Sequence, residues 1–203
     1  MTNKLGKCFI LVGAVLLIAA LSLVLFNKYQ SDSAYDKAQS ILSELQEKMP
    51  SETIDSTDSK ALEQIELEQG YVPTIEVDGN EYLGVIYIPS IDTELPVIKD
   101  WSNDNLDIAP CRYYGSVAEN NLIIAAHNYA TYFDKVENLV PGDIVIFVTA
   151  DGIKYEYEVS TTELIGGGNP ARMKSDFDSW DLTLFTCTWS GRSRVTIRCV
   201  LRG

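Results

Sequence analysis

Residues 181–202 read DLTLFTCTWSGRSRVTIRCVLR, and this pattern decides how the rest of the chain is read. Leu182, Leu184 and Thr186 alternate with Thr183 and Phe185 in a period-2 run that stops at Cys187, as a strand with one buried face requires. Ser190 and Gly191 supply a turn, and Val195, Ile197, Cys199 and Leu201 then resume the alternation. Two antiparallel neighbours joined by so short a loop bring Cys187 close to Arg192 or Arg194. A thiol beside a guanidinium is a candidate thiolate, because nearby positive charge favours the ionised form.

Short apolar runs punctuated by turn residues extend upstream to Glu81 and predict an all-β domain. Residues 82–88 end at Pro89-Ser90, residues 95–99 follow, and residues 122–126 end at His127. Pro141-Gly142-Asp143 introduces residues 144–149, and Asp151-Gly152 is a hairpin signal leading into residues 154–164. There Tyr155, Tyr157 and Val159 share one face, with Lys154, Glu156 and Glu158 on the other. About seven or eight strands in this span predict one barrel or sandwich. Residues 129–140 break the spacing; Phe133, Val136, Leu139 and Val140 on one side predict one or two helical turns beside His127.

The 203 residues suffice for one domain of ordinary size plus appendages. A net charge of -13 argues against a nucleic-acid partner, which would need a basic surface. Residues 9–26, FILVGAVLLIAALSLVLF, carry no charge and reach ~27 Å as a helix, about one hydrocarbon core. Lys4 and Lys7 precede this run, and Lys28 alone follows before an acidic stretch, so the amino terminus is expected in the cytoplasm. The run ends without a small-residue cleavage site, which predicts a retained anchor with the remaining chain outside the cell.

The expected organisation is a cytoplasmic tip and anchor over residues 1–28, an acidic helical stalk over 29–80 and a β domain over 81–203. Within the stalk, Tyr35, Ala38, Leu42, Leu45 and Met49 predict an amphipathic helix ending at Pro50. A second short helix is expected between Ser59 and Gln69, and the segment as a whole is read as a solvated spacer.

Cys8 lies at the mouth of the apolar run, leaving Cys111, Cys187 and Cys199 outside. With three cysteines at least one thiol stays free; isolated buried thiols at 111 and 199 are the plainer expectation over a Cys111–Cys199 disulfide. His127 is the only histidine and closes an apolar run, at the rim of the sheet. One histidine and one unpaired cysteine, each ending a strand, fit thiol acyl transfer. The cysteine attacks a carbonyl, the histidine protonates the leaving amine, and a cationic donor stabilises the oxyanion.

Thr183-Leu184-Phe185-Thr186-Cys187 resembles the T-L-x-T-C signature of sortases, the cysteine transpeptidases of Gram-positive bacteria. The run ending in His127-Asn128 resembles their histidine strand, and Arg194 with Val195 and Ile197 their arginine strand. The resemblance covers roughly residues 82–202 and implies a closed eight-stranded β-barrel with short helices behind a transmembrane helix. It implies that Cys187 cleaves an LPxTG-like sorting signal between Thr and Gly through a thioacyl enzyme, which an amine of a cell-wall precursor or a pilin resolves. His127 would be general acid and base, and Arg194, preferred over Arg192, would hold substrate and stabilise the oxyanion. Thr186, Thr183, Ala126 and Asn128, flanking these groups, become the expected substrate-contacting positions. Ala126 stands where many members carry glycine.

The chain ends at Gly203 straight after its last strand, Asp100-Trp101 falls inside the barrel region rather than in a preceding lid, and residues 164–181 leave no room for a long helical insert. These features favour a protein-anchoring enzyme over a pilus polymerase; a thiol peptidase and a non-catalytic binding barrel are the alternatives. No cofactor is expected. Glu119, Asp134, Glu137 and Asp143 are the carboxylates that could gather for calcium, but a solvated surface is the reading adopted, with no metal.

Overall fold

The computed structural model describes residues 2–56, 72–129, 132–168, 170–174 and 179–202. Ten strands are present among these residues: β1 (Ile54–Asp55), β2 (Ile75–Val77), β3 (Asn80–Ile88), β4 (Thr93–Ile98), β5 (Cys111–Tyr114), β6 (Leu122–Ala125), β7 (Ile144–Thr149), β8 (Ile153–Gly166), β9 (Leu182–Cys187) and β10 (Ser193–Leu201). β8, β10, β9, β6, β5, β4, β3 and β7 neighbour one another in that order, and β7 returns to β8, so eight strands close a barrel. β2 extends β3 and β1 runs parallel to β8. Closure leaves no barrel strand with an open row of backbone donors and acceptors.

The interior follows the alternation in the sequence. Ile124 of β6, Leu184 of β9, Ile197 of β10 and Tyr155 and Tyr157 of β8 all point into one core, each at most 1% exposed. Where β3 is flanked by β4 and β7, a bulge falls between Tyr82 and Gly84. Gly84 has φ +146°, and a Cβ there would sit 1.9 Å from the Val148 carbonyl oxygen. The close approach that brings β7 against β3 therefore requires glycine.

One helix, α1 (Thr2–Lys48), contains both the apolar run and the amphipathic segment. Its stretch Gly6–Lys48 is long and apolar enough to cross a membrane by length and composition. No proline interrupts it before Pro50, so the two segments share one axis, across the boundary expected at residue 28. Ala34, Ala38, Ile41, Leu42 and Leu45 form its buried stripe. Tyr35, expected on that stripe, is 38% exposed, and Ile41 takes part in its place.

The helix is docked, which corrects the expectation of a solvated stalk for this portion. Ile41, Leu42 and Leu45 pack against Tyr82, Val85, Ile98 and Cys111, since an apolar stripe of this width loses more in water than it does against the outer face of β3 and β4. Gln39 and Gln46 donate to Glu94, and Lys48 to the Glu76 carbonyl. The Tyr132 hydroxyl donates to the carbonyls of Ala34 and Ile108. The second helix expected between Ser59 and Gln69 lies outside the described residues.

Residues 134–138 form a short 3-10 helix, within the one or two turns expected over residues 129–140. Phe133, Val136 and Leu139 are buried as read from the sequence, whereas Val140 is exposed. The four cysteines are free thiols. Burial pushes the Cys111 thiol up to about 12 and raises the Cys199 thiol and the Tyr82 and Tyr132 phenols well above their ordinary ranges.

Two expectations follow from this packing. Leu45→Ala lowers the unfolding free energy by about 2–5 kcal/mol, read by chemical denaturation, while Tyr35→Ala on the exposed side stays within about 0.5 kcal/mol. Secondly, the unfolded chain releases its Cys111 proton near ~8.5, whereas the folded protein holds it to about 12. The unfolded state therefore binds fewer protons in this window. Stability is fully retained below pH ~8.5 and falls as pH rises toward about 12, measured as the denaturation midpoint against pH.

Candidate active site

Three strands deliver the candidate residues to one end of the barrel. β9 and β10 are antiparallel with Cys187 directly across from Arg194, so the pair shares one face. β6 runs parallel to β9 with Ala125 opposite Phe185, and the Ala126 amide donates to the Phe185 carbonyl at 3.1 Å. Continuing this register by two residues sets His127 level with Cys187. Alternation assigns His127, Cys187 and Arg194 to the outer face, because Ala126 and Val195 belong to the interior core. Arg192 lies in the turn, outside β10, so the register selects Arg194 over it.

The turn between β9 and β10 is built by hydrogen bonds rather than packing. The Gly191 amide donates to the Thr188 carbonyl at 2.8 Å, and Gly191 has φ +68°. Thr188 and Ser193 bond through both backbone and the Thr188 hydroxyl. Arg194 Nη1 donates to the Gly191 and Ser193 carbonyls at 3.0 and 3.2 Å, which folds the guanidinium onto this turn. Trp189 stands at the tip, 89% exposed.

His127 is oriented by groups that sequence reasoning missed. Its Nε2 donates to Asp107 Oδ1 at 3.2 Å, and its ring lies 4.8 Å from that of Tyr129 at 31°. Tyr129 also hydrogen-bonds Asp107; burial first, and then this carboxylate, raise its phenol above the ordinary range. Asp107 follows the one-turn helix Asn103–Leu106, which Ser102 caps by accepting from the Asn105 amide. Ser102 ahead of Asn-Asp-Asn is a legible capping signal, but no spacing in the sequence links that loop to His127.

A cavity of about 300 Å³ opens beside the thiol, lined by Cys187, Thr186, Asn128, Asp134, Glu137 and Trp189 among others. Of the expected contact positions, Thr186 and Asn128 thus face the same space as Cys187. Ala126 and Thr183 do not: Ala126 lies in the core, and Thr183, 3% exposed, accepts from Arg198 Nη1 at 2.9 Å. Arg198 itself is 2% exposed and also donates to Glu163 and to the carbonyls of Arg172 and Met173. Thr183 is therefore placed to support the strand beneath the site.

The four carboxylates considered for calcium are not gathered. Glu119 lines a separate cavity of about 640 Å³ together with Leu122, at the opposite end of β6 from His127, and Asp143 accepts from the Val140 amide. Trp101, beside Asp100, lines that distant cavity too and stacks edge-on with Tyr113.

Residues 86–203 match the family model of the sortase domain. The chain belongs to the sortase family. The fold of this sortase is similar to that of a Clostridium perfringens Sortase D5 transpeptidase, with a TM-score of 0.60 and 20% identity over 83% of this chain and 99% of that one. It is also similar to Sortase A from Corynebacterium diphtheriae, with a TM-score of 0.54 and 19% identity over 91% and 93%. Clostridium perfringens sortase C, solved with the C-terminal cell wall sorting motif, gives a TM-score of 0.53 and 21% identity over 72% and 87%. No curated protein matches the chain. Family and fold together support a transpeptidase-type function for this sortase.

Thr186 is 2% exposed and its hydroxyl has no hydrogen-bond partner. An orphaned buried hydroxyl destabilises the fold relative to an isosteric methyl group. Thr186→Val is expected to raise the unfolding free energy by about 1 kcal/mol, read as an upward shift of the denaturation midpoint.

Proposed function

We propose that this sortase is a membrane-anchored cysteine transpeptidase that cleaves an LPxTG-like sorting signal and transfers the protein to a cell-wall amine. The observation that carries the reading is the strand register: Cys187 stands across from Arg194 on one side, and the β6–β9 pairing on the other, carried two residues past Ala125 and Phe185, brings it level with His127. In this reading residues 9–26 anchor the chain with its amino terminus in the cytoplasm, and the barrel of residues 81–203 works outside. Its donors are surface proteins with a carboxy-terminal sorting signal. The structurally similar Clostridium perfringens sortase C, solved with the C-terminal cell wall sorting motif, supports that substrate class.

Chemically, the Cys187 sulfur attacks the carbonyl carbon of the Thr–Gly bond. Asp107 at Nε2 of His127 fixes the ring and its tautomer, so Nδ1 is the nitrogen assigned to proton transfer. His127 protonates the leaving glycine nitrogen as the C–N bond breaks, leaving a thioester on Cys187. The acceptor amine then attacks that carbonyl, its proton passes to His127, and the C–S bond breaks to free the thiolate. Arg194 holds its place through Nη1 on the turn carbonyls, and its remaining donors stabilise the oxygen that becomes negative in each tetrahedral intermediate. Thr186 and Asn128 orient the bound peptide within the cavity.

Incubating the protein with LPxTG-like peptides is expected to give a thioacyl adduct on Cys187 by mass spectrometry, lost in Cys187→Ala. His127→Ala is expected to slow turnover by about 10²–10⁴-fold. A Cys187→Ala protein that processes the peptide as before would leave only a binding barrel.

A further inference from the structure

We propose that Tyr132 is a positioning residue for the reaction and that, through it, helix α1 holds the ring of His127. The Tyr132 hydroxyl ties α1 to the loop that carries Asp107, the partner of that ring. The inference rests on the transpeptidase reading for what the ring does, whereas the tie itself is a matter of geometry.

His127 needs such support because its own contacts are weak. Its side chain and that of Asp107 are 33% and 61% exposed, and between groups so open to water a contact of 3.2 Å contributes little. A ring that must keep Nδ1 free for proton transfer therefore depends on how firmly its neighbours are fixed. Those neighbours are Asp107 at Nε2 and Tyr129, whose ring lies 4.8 Å away, and Tyr132 holds the surroundings of both. Its hydroxyl donates at 2.6 Å to the carbonyl of Ile108, the residue after Asp107. Its amide donates to the Tyr129 carbonyl at 2.9 Å, and the two aromatic rings lie 5.6 Å apart. The Phe133 amide, next in the chain, donates to the His127 carbonyl at 3.3 Å.

Tyr132 is fastened in turn to α1. Its hydroxyl also reaches the Ala34 carbonyl at 3.1 Å, and since a phenol carries one proton, that proton is shared between helix and loop. Tyr132 is 1% exposed, so water cannot replace either bond once it is broken. Burial also raises its phenol above the ordinary range, which keeps it a donor at neutral pH. Ala34 and Ala38 belong to the same buried cluster as Tyr132, whereas Ile41, Leu42 and Leu45 pack in another. The helix thus meets the barrel in two places, and one of them is the loop that follows His127.

The test uses the full chain in detergent micelles, isotope-labelled in its only histidine. Nuclear magnetic resonance reads the two ring nitrogens at a pH where the ring is neutral, and kcat and KM for an LPxTG-like peptide are measured on the same samples. Tyr132→Phe keeps the aromatic packing and removes the shared proton. Tyr82→Phe is the control, since Tyr82 is buried under the same helix and its hydroxyl has no hydrogen-bond partner. The wild type and Tyr82→Phe are expected to show one tautomer, protonated at Nε2. Tyr132→Phe is expected to show signals averaged between the two tautomers, with kcat about tenfold lower and KM within about twofold. Ala38→Pro, whose ring clashes with the Ala34 carbonyl, and Ala38→Leu, which overfills the contact, are expected to shift the ring signals in the same way. Ring signals unmoved in Tyr132→Phe, or moved equally in Tyr82→Phe, would overturn the tie. So would a raised KM with kcat unchanged, which would place Tyr132 in peptide binding instead. Ring signals unmoved in both Ala38 variants would overturn the part assigned to α1. A wild type that forms no thioester on Cys187 would remove the transpeptidase reading, and the ring signals, which need no substrate, would still decide the tie.

Discussion

Parallel pairing of β6 with β9 is the constraint on which the site depends. A parallel pair cannot be joined by a hairpin, and between these strands the chain makes the whole excursion through β7 and β8 that closes the barrel. His127 and Cys187 therefore become neighbours only when closure is complete. The antiparallel step from β9 to β10 is local by contrast, and its turn is held by Thr188, Gly191 and Ser193 whatever the rest of the barrel does. One half of the site is thus a property of a hairpin, and the other half a property of the entire fold.

Alternation along β10 puts Arg194 and Arg198 on the same face, but their surroundings give them different work. Arg194 lies at the rim and leans on turn carbonyls. Arg198, four residues further along, is almost fully enclosed, and Glu163, Thr183 and two backbone carbonyls satisfy its donors. A buried charge is tolerated only when so completely paired. This arginine pins the short helix Pro170–Met173 against β9, the strand that ends in Cys187, and β10. Arg202, beyond the strand, pairs with Glu156 in the open.

This contrast shows where the sequence is informative. The period-2 patterns of β8, β9 and β10, the Asp151-Gly152 hairpin and the apolar run before His127 are local signals, and each corresponds to a strand or turn in the structure. β5 escaped notice because its four residues include Arg112 and show no clean alternation. Docking of α1 was illegible because an amphipathic stripe announces that a partner exists without saying which surface it is. Asp107 could not be found beforehand, since its contact with His127 is set by the path of the loop between β4 and β5. Thr183 and Thr186 illustrate the limit most directly. They sit in one signature, three residues apart, yet one hydroxyl is occupied by Arg198 and the other is buried without a partner.

The unbroken course of α1 has a mechanical corollary. Its outer portion is fastened to β3 and β4 by Leu42 and Leu45, and no hinge separates that attachment from the apolar run. With residues 9–26 in a bilayer, the rise from Phe26 to Ala38 is ~18 Å, and the barrel is carried at that height on a stiff boom. Such a mount would restrict swivelling and tilting, so the mouth of the cavity beside Cys187 would sweep a narrow layer above the lipid. For the proposed reaction, both partners would have to be presented within that layer, which would make their own reach above the lipid a selection rule that no residue in the pocket encodes.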